Sequence, residues 1–215
     1  MPQQPRVRAE RVEVRRSRDR ILGAAENYYA VHNDDPTMSQ LAQLAGVGNA
    51  TLYRRYASVP EVIRALYTRT VGYQQAVIDE MALQPSGWDA VVTLITGVAE
   101  VILEHPAVPR VTRKMLEIEP GHRHGAQWNA VLVAVAARAQ AEGALRPDVD
   151  VNDLTMAAFR VGDYSYLPVA ARARVVARQL AIVLDGLRAD SVRTSLPGDG
   201  IHTDEIQTFF HEHTG

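Results

Sequence analysis

The sequence has 215 residues, of which 47% are hydrophobic and 22% are charged, and it contains no cysteine. This composition is typical of a globular chain with ample length for a buried core, and it excludes an intrinsically disordered protein. The lack of cysteine excludes disulfides, thiol nucleophiles and cysteine-ligated metals. No apolar run reaches the roughly 18 to 20 residues of a membrane span, and no apolar segment follows the arginine-rich N-terminus as in a secretory signal. We therefore expect a cytoplasmic protein with no membrane partner.

The net charge of −2 conceals a difference between the two ends of the chain. Residues 1–72 carry 11 arginines against 7 acidic residues, whereas residues 73–215 carry 12 basic residues against 18 acidic ones. Such a division favours a head that binds a polyanion, attached to a body that does not. Ordinary variation of surface charge is the alternative.

Residues 1–16 contain two prolines and several arginines, and we expect them to form a flexible basic arm. The arginines of this arm are Arg6, Arg8, Arg11, Arg15 and Arg16. One interpretation is that the arm follows phosphates or enters a minor groove. The other is a solvated tail, since Glu10 and Glu13 dilute its charge.

After a predicted helix at 17–32, the residues from Thr37 onwards have the pattern of two short helices joined by a tight turn. Thr37 and Gln40 have the spacing of a capping box at a helix start. Gly46 supplies the positive φ that ends a helix without steric cost. The first short helix has an apolar stripe made of Met38, Leu41, Ala42, Leu44 and Ala45. A second helix at 49–56, with Leu52 and Tyr56 facing inward, completes a helix-turn-helix pattern.

The sequence AGV at 45–47, followed by ATLYRRY at 50–56, resembles the DNA-binding domain of the TetR (tetracycline repressor) family of transcriptional regulators. The resemblance covers about a quarter of the chain. It implies an all-α fold, with a three-helix helix-turn-helix domain at 17–59 and a helical effector-binding and dimerisation domain at 60–190. Residues 191–215 are then a C-terminal tail.

The resemblance also implies which residues contact DNA. They are Thr37, Asn49, Ala50, Thr51, Tyr53, Arg54 and Arg55. Thr51, Tyr53 and Arg55 are expected on phosphates, and Arg54 is expected further round the helix, paired with an acid. Asn49 suits a bidentate contact to adenine, but it suits the N-cap of its own helix slightly better, because Gly48 has no side chain. Val59-Pro60-Glu61 replaces a lysine that the family often places on a phosphate.

The body reads as helical throughout, because no run of alternating β-branched residues interrupts it. Helices are predicted at 60–81, 88–104, 107–119, 122–142, 151–164 and 170–189, and a short one at 204–211 in the tail. Proline and glycine mark most of the breaks between them.

Aromatic and soft side chains concentrate in the predicted helices that surround an effector pocket in this family. The candidate pocket residues are Met115, Trp128, Met156, Phe159, Asp163 and Tyr166. Asp163 would suit a cationic or hydroxylated effector. Ordinary core packing is the alternative for each of these residues.

The predicted helix at 170–189 is apolar on more than one face, which indicates either a central position or a shared interface. The resemblance implies a homodimer that joins its last helices in a four-helix bundle. The expected interface residues are Leu154, Val161, Val176, Leu180, Leu184 and Leu187. A dimer also fits a near-palindromic DNA operator, since two recognition helices about 34–36 Å apart read two half-sites.

No motif for catalysis or phosphate binding is present, so neither an enzyme nor a cofactor is expected. His122 with His124, and His211 with His213, are spaced two apart, which on a helix does not bring both side chains to one metal. By resemblance the protein is a repressor that a small-molecule effector releases from DNA by tilting the helix at 60–81. The alternatives are a helical ligand-binding protein with a degenerate DNA head, and a helical enzyme.

Overall fold

The computed structural model describes residues 4–165 and 167–190, with side chains from residue 12 onwards, and every regular element in that part of the chain is a helix. The α-helices are α1 Gln4–Tyr29, α2 Met38–Leu44, α3 Asn49–Tyr53, α4 Val59–Ala82, α5 Gly87–Glu104, α6 Val108–Ile118, α7 Asn129–Ala141, α8 Val151–Gly162 and α9 Val169–Leu187. A 3-10 helix, Ala126–Trp128, precedes α7. The predicted all-α fold is confirmed.

The head consists of α1, α2, α3 and the first half of α4 around one hydrophobic core. Each helix contributes at least one side chain that is fully buried, because its apolar positions recur at three- and four-residue spacing. These anchors are Ile21, Leu41, Leu52, Ile63 and Leu66. Residues of α6, a helix of the body, complete this core, so the head packs directly on the body.

The local signals around α2 are confirmed. The Gln40 backbone N–H donates to Thr37 Oγ1 at 3.2 Å, and the Thr37 N–H donates to Gln40 Oε1 at 2.8 Å, which completes the capping box. Gly46 has a φ of +61°, which stops the helix and turns the chain towards α3. The predicted inward position of Leu44 is wrong, since its side chain is 57% exposed.

The body is built around α5, which contacts α4, α7, α8 and α9. Its buried stripe is continuous from Ala90 to Ile102, so it forms the centre of a second hydrophobic core. In the part of the chain that the structure describes, no single helix is long and apolar enough to cross a membrane; α5 and α6 would qualify only as a pair bent by 90°.

Two predicted boundaries are wrong. The first helix begins at Gln4 rather than at residue 17, so residues 4–16 continue α1 and do not form an irregular arm. The predicted helix at 122–142 is a loop, the 3-10 helix and then α7, because Gly125 adopts a φ of +75° and interrupts the helical path. The tail at 191–215, with its predicted helix at 204–211 and with His211 and His213, lies outside the described residues.

Candidate nucleic-acid interface and ligand-binding body

The second helix of the motif, α3, presents one face to solvent. Leu52 is completely buried and fixes this short helix on the head, while Asn49, Ala50 and Arg54 are exposed. Tyr53 is 55% exposed, which is unusual for a large aromatic side chain. An outward face with an amide, a phenol and a guanidinium has the donors and the charge that contact DNA bases and phosphates.

Asn49 is not the N-cap of α3. Gly48 occupies that position with extended backbone angles and no side-chain hydrogen bond, and Asn49 is the first helical residue. The preference for Asn49 as a cap is therefore wrong. Its exposed position favours the other interpretation, an amide that faces a base edge.

Arg54 has a neutral neighbour rather than the expected acid. Its Nη2 donates to Thr51 Oγ1 at 3.2 Å, one turn earlier on α3. This hydrogen bond holds both side chains on the same side of the helix. Thr37 lies at the start of α2, where its hydroxyl and Gln40 cap the helix, and its side chain is exposed.

Arg55 has a structural role that the sequence did not reveal. Its Nε donates to Ser17 Oγ at 3.2 Å, and Ser17, only 1% exposed, donates in turn to the Val14 carbonyl at 2.9 Å. The half-buried guanidinium thus joins the end of α3 to α1. The phosphate contact expected of Arg55 stays a prediction, and this hydrogen bond fixes its charge beside the recognition helix.

Arg18 and Arg20 add cations that the sequence reasoning missed. Burial raises the pKa of Tyr56, and the charge of Arg18 opposes this shift, so Arg18 lies close to the end of the motif. Arg20 Nη1 donates to the Gly46 carbonyl at 3.3 Å, in the turn between α2 and α3. Both side chains are exposed, and the density of arginines at 15–20 is the signal that could have identified them.

The predicted effector pocket does not form as one group. Met115 lies in the head core, and Trp128 and Phe159 belong to the body core. Met156 is 48% exposed, so its assignment to a pocket is wrong. Asp163 ends α8 and accepts a hydrogen bond from Ser165 at 3.2 Å, and Tyr166 lies outside the described residues.

A small cleft of about 180 Å³ lies between α5, the end of α8 and α9. It is lined by Ile102, Leu103, Pro106, Gly162, Ser165 and Arg172, none of which was predicted. This volume includes space open to solvent, and the space that the protein encloses is close to 0 Å³, against the several hundred Å³ of an ordinary ligand pocket. The cleft is therefore not the effector site that the sequence led us to expect.

A cluster of aromatic polar groups lies where α4 meets the loop after α6. Tyr67 Oη is 2.7 Å from His122 Nε2 and 2.7 Å from His124 Nδ1. The two histidines converge because they lie in a loop and not on the predicted helix. No group of three or more His, Cys, Asp or Glu side chains among the described residues could hold a metal ion. A phenol that donates to one imidazole and accepts from the other satisfies the cluster without one.

Half of the predicted dimer interface is internal to the protomer. Leu154, Val161 and Val176 are at most 4% exposed and pack within the body, so their assignment to a partner surface is wrong. Leu180, Leu184 and Leu187 are half-buried against the same cores. The face of α9 that points to solvent carries the small residues Ala173, Ala177 and Ala181, and beside them Ile182 together with the charged Arg174, Arg178 and Asp185.

Ion pairs and charged hydrogen bonds join the head to the body. The carboxylate of Glu26 on α1 lies 2.8 Å from His105 Nδ1 and 3.7 Å from Arg69 Nη1. Arg110 on α6 donates to the carbonyls of Tyr29 and Ala30, at the end of α1. Because these contacts converge on α1 from α4 and α6, a shift of either helix moves the head.

This arrangement has the fold of TetR-type transcriptional regulators: an N-terminal helix-turn-helix head on a helical body. No protein-family model matches the sequence, and the search of curated proteins found no match. Among solved structures, the chain is similar to the ketosteroid transcriptional regulator KstR2 of Mycobacterium tuberculosis, with 22% identity, a TM-score of 0.65, and coverage of 80% of this chain and 94% of that one.

Two further structures show the same likeness. The TetR family protein CprB from S. coelicolor A3(2) is 19% identical with a TM-score of 0.66, over 84% of this chain and 93% of that one. A gamma-butyrolactone receptor, described as an ArpA-like protein, is 16% identical with a TM-score of 0.62, over 94% and 98%. Because each likeness extends over most of both chains, it includes the head and the body together.

Proposed function

We propose that the protein is a DNA-binding transcriptional regulator whose head reads a near-palindromic operator as a homodimer in the cytoplasm. The observation that carries this proposal is the outward face of α3, where Tyr53 is 55% exposed above the buried Leu52 anchor. A soluble fold has no structural need to expose a tyrosine beside an asparagine and an arginine on a motif of this geometry. The basic head and the likeness to solved transcriptional regulators support the same conclusion.

Within this proposal the residues of the recognition face have separate tasks. Asn49 and Ala50, at the start of α3, face base edges, because the N-terminal part of a recognition helix enters the major groove. Tyr53, Thr51 and Arg54 contact phosphates and fix the helix in register. Arg55, held by Ser17, adds charge from the side of α1.

A homodimer supports this function, because one short helix reads too few base pairs to define a site. The exposed small residues of α9 allow the backbones of two copies to approach closely. Met156 and Ile182, which are 48% and 59% exposed, supply apolar area next to them. We place the partner protomer on this surface rather than on the buried Leu154, Val161 and Val176.

We further propose that a small-molecule effector releases the protein from DNA, as a repressor. One similar structure is a gamma-butyrolactone receptor and another a fatty acid degradation regulator, FadR of Bacillus halodurans, with a TM-score of 0.54. In this chain α4 begins in the head and ends in the body, so it is the element through which a ligand would act. A preference of about 1.4 kcal/mol for the non-binding conformer weakens DNA affinity tenfold.

The proposal is tested with duplexes selected from a random pool by the wild-type protein. We expect tight binding. The logarithm of the association constant should fall linearly with the logarithm of the salt concentration, with a slope of about −0.9 per phosphate contacted. Tyr53→Ala and Arg54→Gln should each weaken binding roughly tenfold or more, since each removes a contact to DNA. Arg113→Gln, which removes an exposed arginine from α6 in the body, is the matched control and should leave affinity unchanged.

A helical ligand-binding protein with a degenerate DNA head is the competing function. It would select no duplex, or would bind DNA only weakly and equally in all three variants. That outcome would reject DNA-binding regulation.

A further inference from the structure

The buried face of α4 changes from apolar to polar in the middle of the helix. It is apolar at both ends, but the three buried positions between the ends are Tyr67, Thr70 and Gln74. The head core includes Tyr67 and the body core includes Val77, and neither core includes Thr70 or Gln74. This buried polar layer lies where α4 passes from head to body, next to Val71, which packs against both cores.

Gln74 is not satisfied in this layer. Its side chain is 2% exposed, and neither Oε1 nor Nε2 has a hydrogen-bond partner among the described residues. Thr112 lies on α6, which packs against α4, and its Oγ1 is also buried without a hydrogen-bond partner among the described residues. Transfer of an amide from water to a solvent that cannot form hydrogen bonds costs several kcal/mol. A buried amide without a hydrogen-bond partner in a native fold therefore requires an explanation.

The other end of the layer is the cluster of Tyr67, His122 and His124, two helical turns from Gln74 on the same face of α4. Trp128 contacts the cluster and the residue that follows Gln74. Its ring centroid is 6.0 Å from that of His124, and its Nε1 donates to Gln75 Oε1 at 2.6 Å. The ring centroid of Phe159 lies 5.8 Å from that of His124, so Trp128 and Phe159 form an aromatic wall beside that imidazole.

Tyr67 and His124 are both uncharged at physiological pH. Burial alone raises the pKa of Tyr67 to about 12, with no carboxylate or cation contributing to the shift. Burial, with a smaller effect of His122, lowers the pKa of His124 to about 4, so that imidazole is neutral at physiological pH. An ionised ligand would find no counter-charge on Tyr67, His124, Thr70 or Gln74, and beside them it would lose its hydration without compensation.

We propose that this polar layer is a binding site for an uncharged, elongated apolar ligand that has a hydroxyl or carbonyl group near each end. One end pairs with the carboxamide of Gln74, which offers both a donor and an acceptor, and the other pairs with the Tyr67–His122–His124 cluster. Seven helical residues separate Tyr67 from Gln74, so the two polar groups of the ligand lie about 10 Å apart. The apolar middle of the ligand packs on Trp128 and Phe159.

Entry requires movement, because the side chain of Gln74 is enclosed. Trp128 belongs to a three-residue 3-10 helix that follows the loop of His122 and His124, so it is the part of the wall with the least helical support. A ligand that displaces this segment from α4 also perturbs Tyr67, which lies in the head core. The site thus identifies the class of effector in the proposed function. Ligand binding itself does not depend on that function, and only the effect of the ligand on DNA binding rests on it.

Ligand binding is tested without DNA, on the full chain. Trp88→Phe leaves Trp128 as the remaining tryptophan of the sequence and makes its fluorescence a local reporter. The probes are 1,7-heptanediol, the matching dicarboxylate and the matching diamine, which share one apolar chain and differ in the charge of their ends. We expect the diol alone to shift the emission of Trp128 and to raise the melting temperature. A response to the charged probes as strong as to the diol, or no response to the diol, would overturn the proposal.

Gln74→Leu distinguishes a ligand-binding amide from a structural one. It should raise the melting temperature of the free protein, because an apolar group of similar shape replaces an unpaired amide, and should weaken diol binding about tenfold. Gln84→Leu, just beyond the end of α4, is the matched control and should do neither. A lower melting temperature for Gln74→Leu would show that the amide supports the fold, and would reject the site. Diol binding without any DNA binding would reject the proposed regulator and leave the site intact.

Discussion

At the scale of single residues, the environment changed the roles that residue type suggested. Arg55 has the charge of a phosphate contact, yet its Nε is held by Ser17 Oγ at 3.2 Å, so it also joins two helices. His124 has the side chain of a metal ligand or a surface base, yet it is packed against Tyr67, Trp128 and Phe159. In both cases the chain brings together residues that are far apart in sequence, which residue type alone does not show.

The pKa of His124 predicts a specific dependence of stability on pH. In the folded protein it lies at about 4, below the 6.5 of an unperturbed histidine, so the unfolded state takes up this proton first as the pH falls. The contribution to stability is complete above pH 6.5 and is lost progressively towards pH 4. Between pH 7 and pH 5 we expect a loss of about 2 kcal/mol from this group.

Urea unfolding of the wild type and of His124→Gln at both pH values measures this contribution. The variant should be less stable at pH 7 but should lose less stability on acidification than the wild type. Equal losses in the two proteins would show that His124 titrates normally in the fold.

At the scale of elements, local signals placed most helix ends within a few residues. Thr37 and Gln40 form the predicted capping box, and Gly46 ends α2. The signals failed where packing or a distant turn decided the outcome. Residues 4–16 extend α1, and Gly125 breaks the long apolar pattern before α7, which periodicity alone had assigned to one helix.

The turn of the helix-turn-helix provides a test at this scale. Gly46→Ala should destabilise the protein by about 1 kcal/mol, because its φ of +61° is strained for any residue with a Cβ, even though nothing lies within 4 Å. Thermal unfolding measures the change. Gly48→Ser is the comparison: its backbone is already extended, with φ −68° and ψ 147°, so a serine supplies the missing cap and should stabilise α3 by a few tenths of a kcal/mol. Equal effects at both glycines would contradict the assignment of strain to Gly46.

At the scale of the whole molecule, the proposed dimer depends on the exposed face of α9. Ile182→Glu should weaken the dimer, since it replaces apolar area of the proposed interface with a carboxylate that must lose hydration there. Analytical ultracentrifugation and DNA affinity should both show the loss. Val133→Glu on α7 is the matched control, because Val133 is similarly exposed, at 46% against 59%, and lies outside the proposed interface. A dimer that survives Ile182→Glu would place the partner elsewhere.

The sequence by itself determined the elements whose causes are local. The capping box, the glycine turn, the all-α character and the buried face around Leu52 follow from spacing and backbone preference within a few residues. Tertiary structure alone decided which side chains meet. It placed Leu154 and Val176 in the core of one protomer, and it brought Tyr67 to two histidines more than fifty positions away. Burial and pairing depend on how helices pack, and one-dimensional periodicity does not encode which apolar stripe faces which.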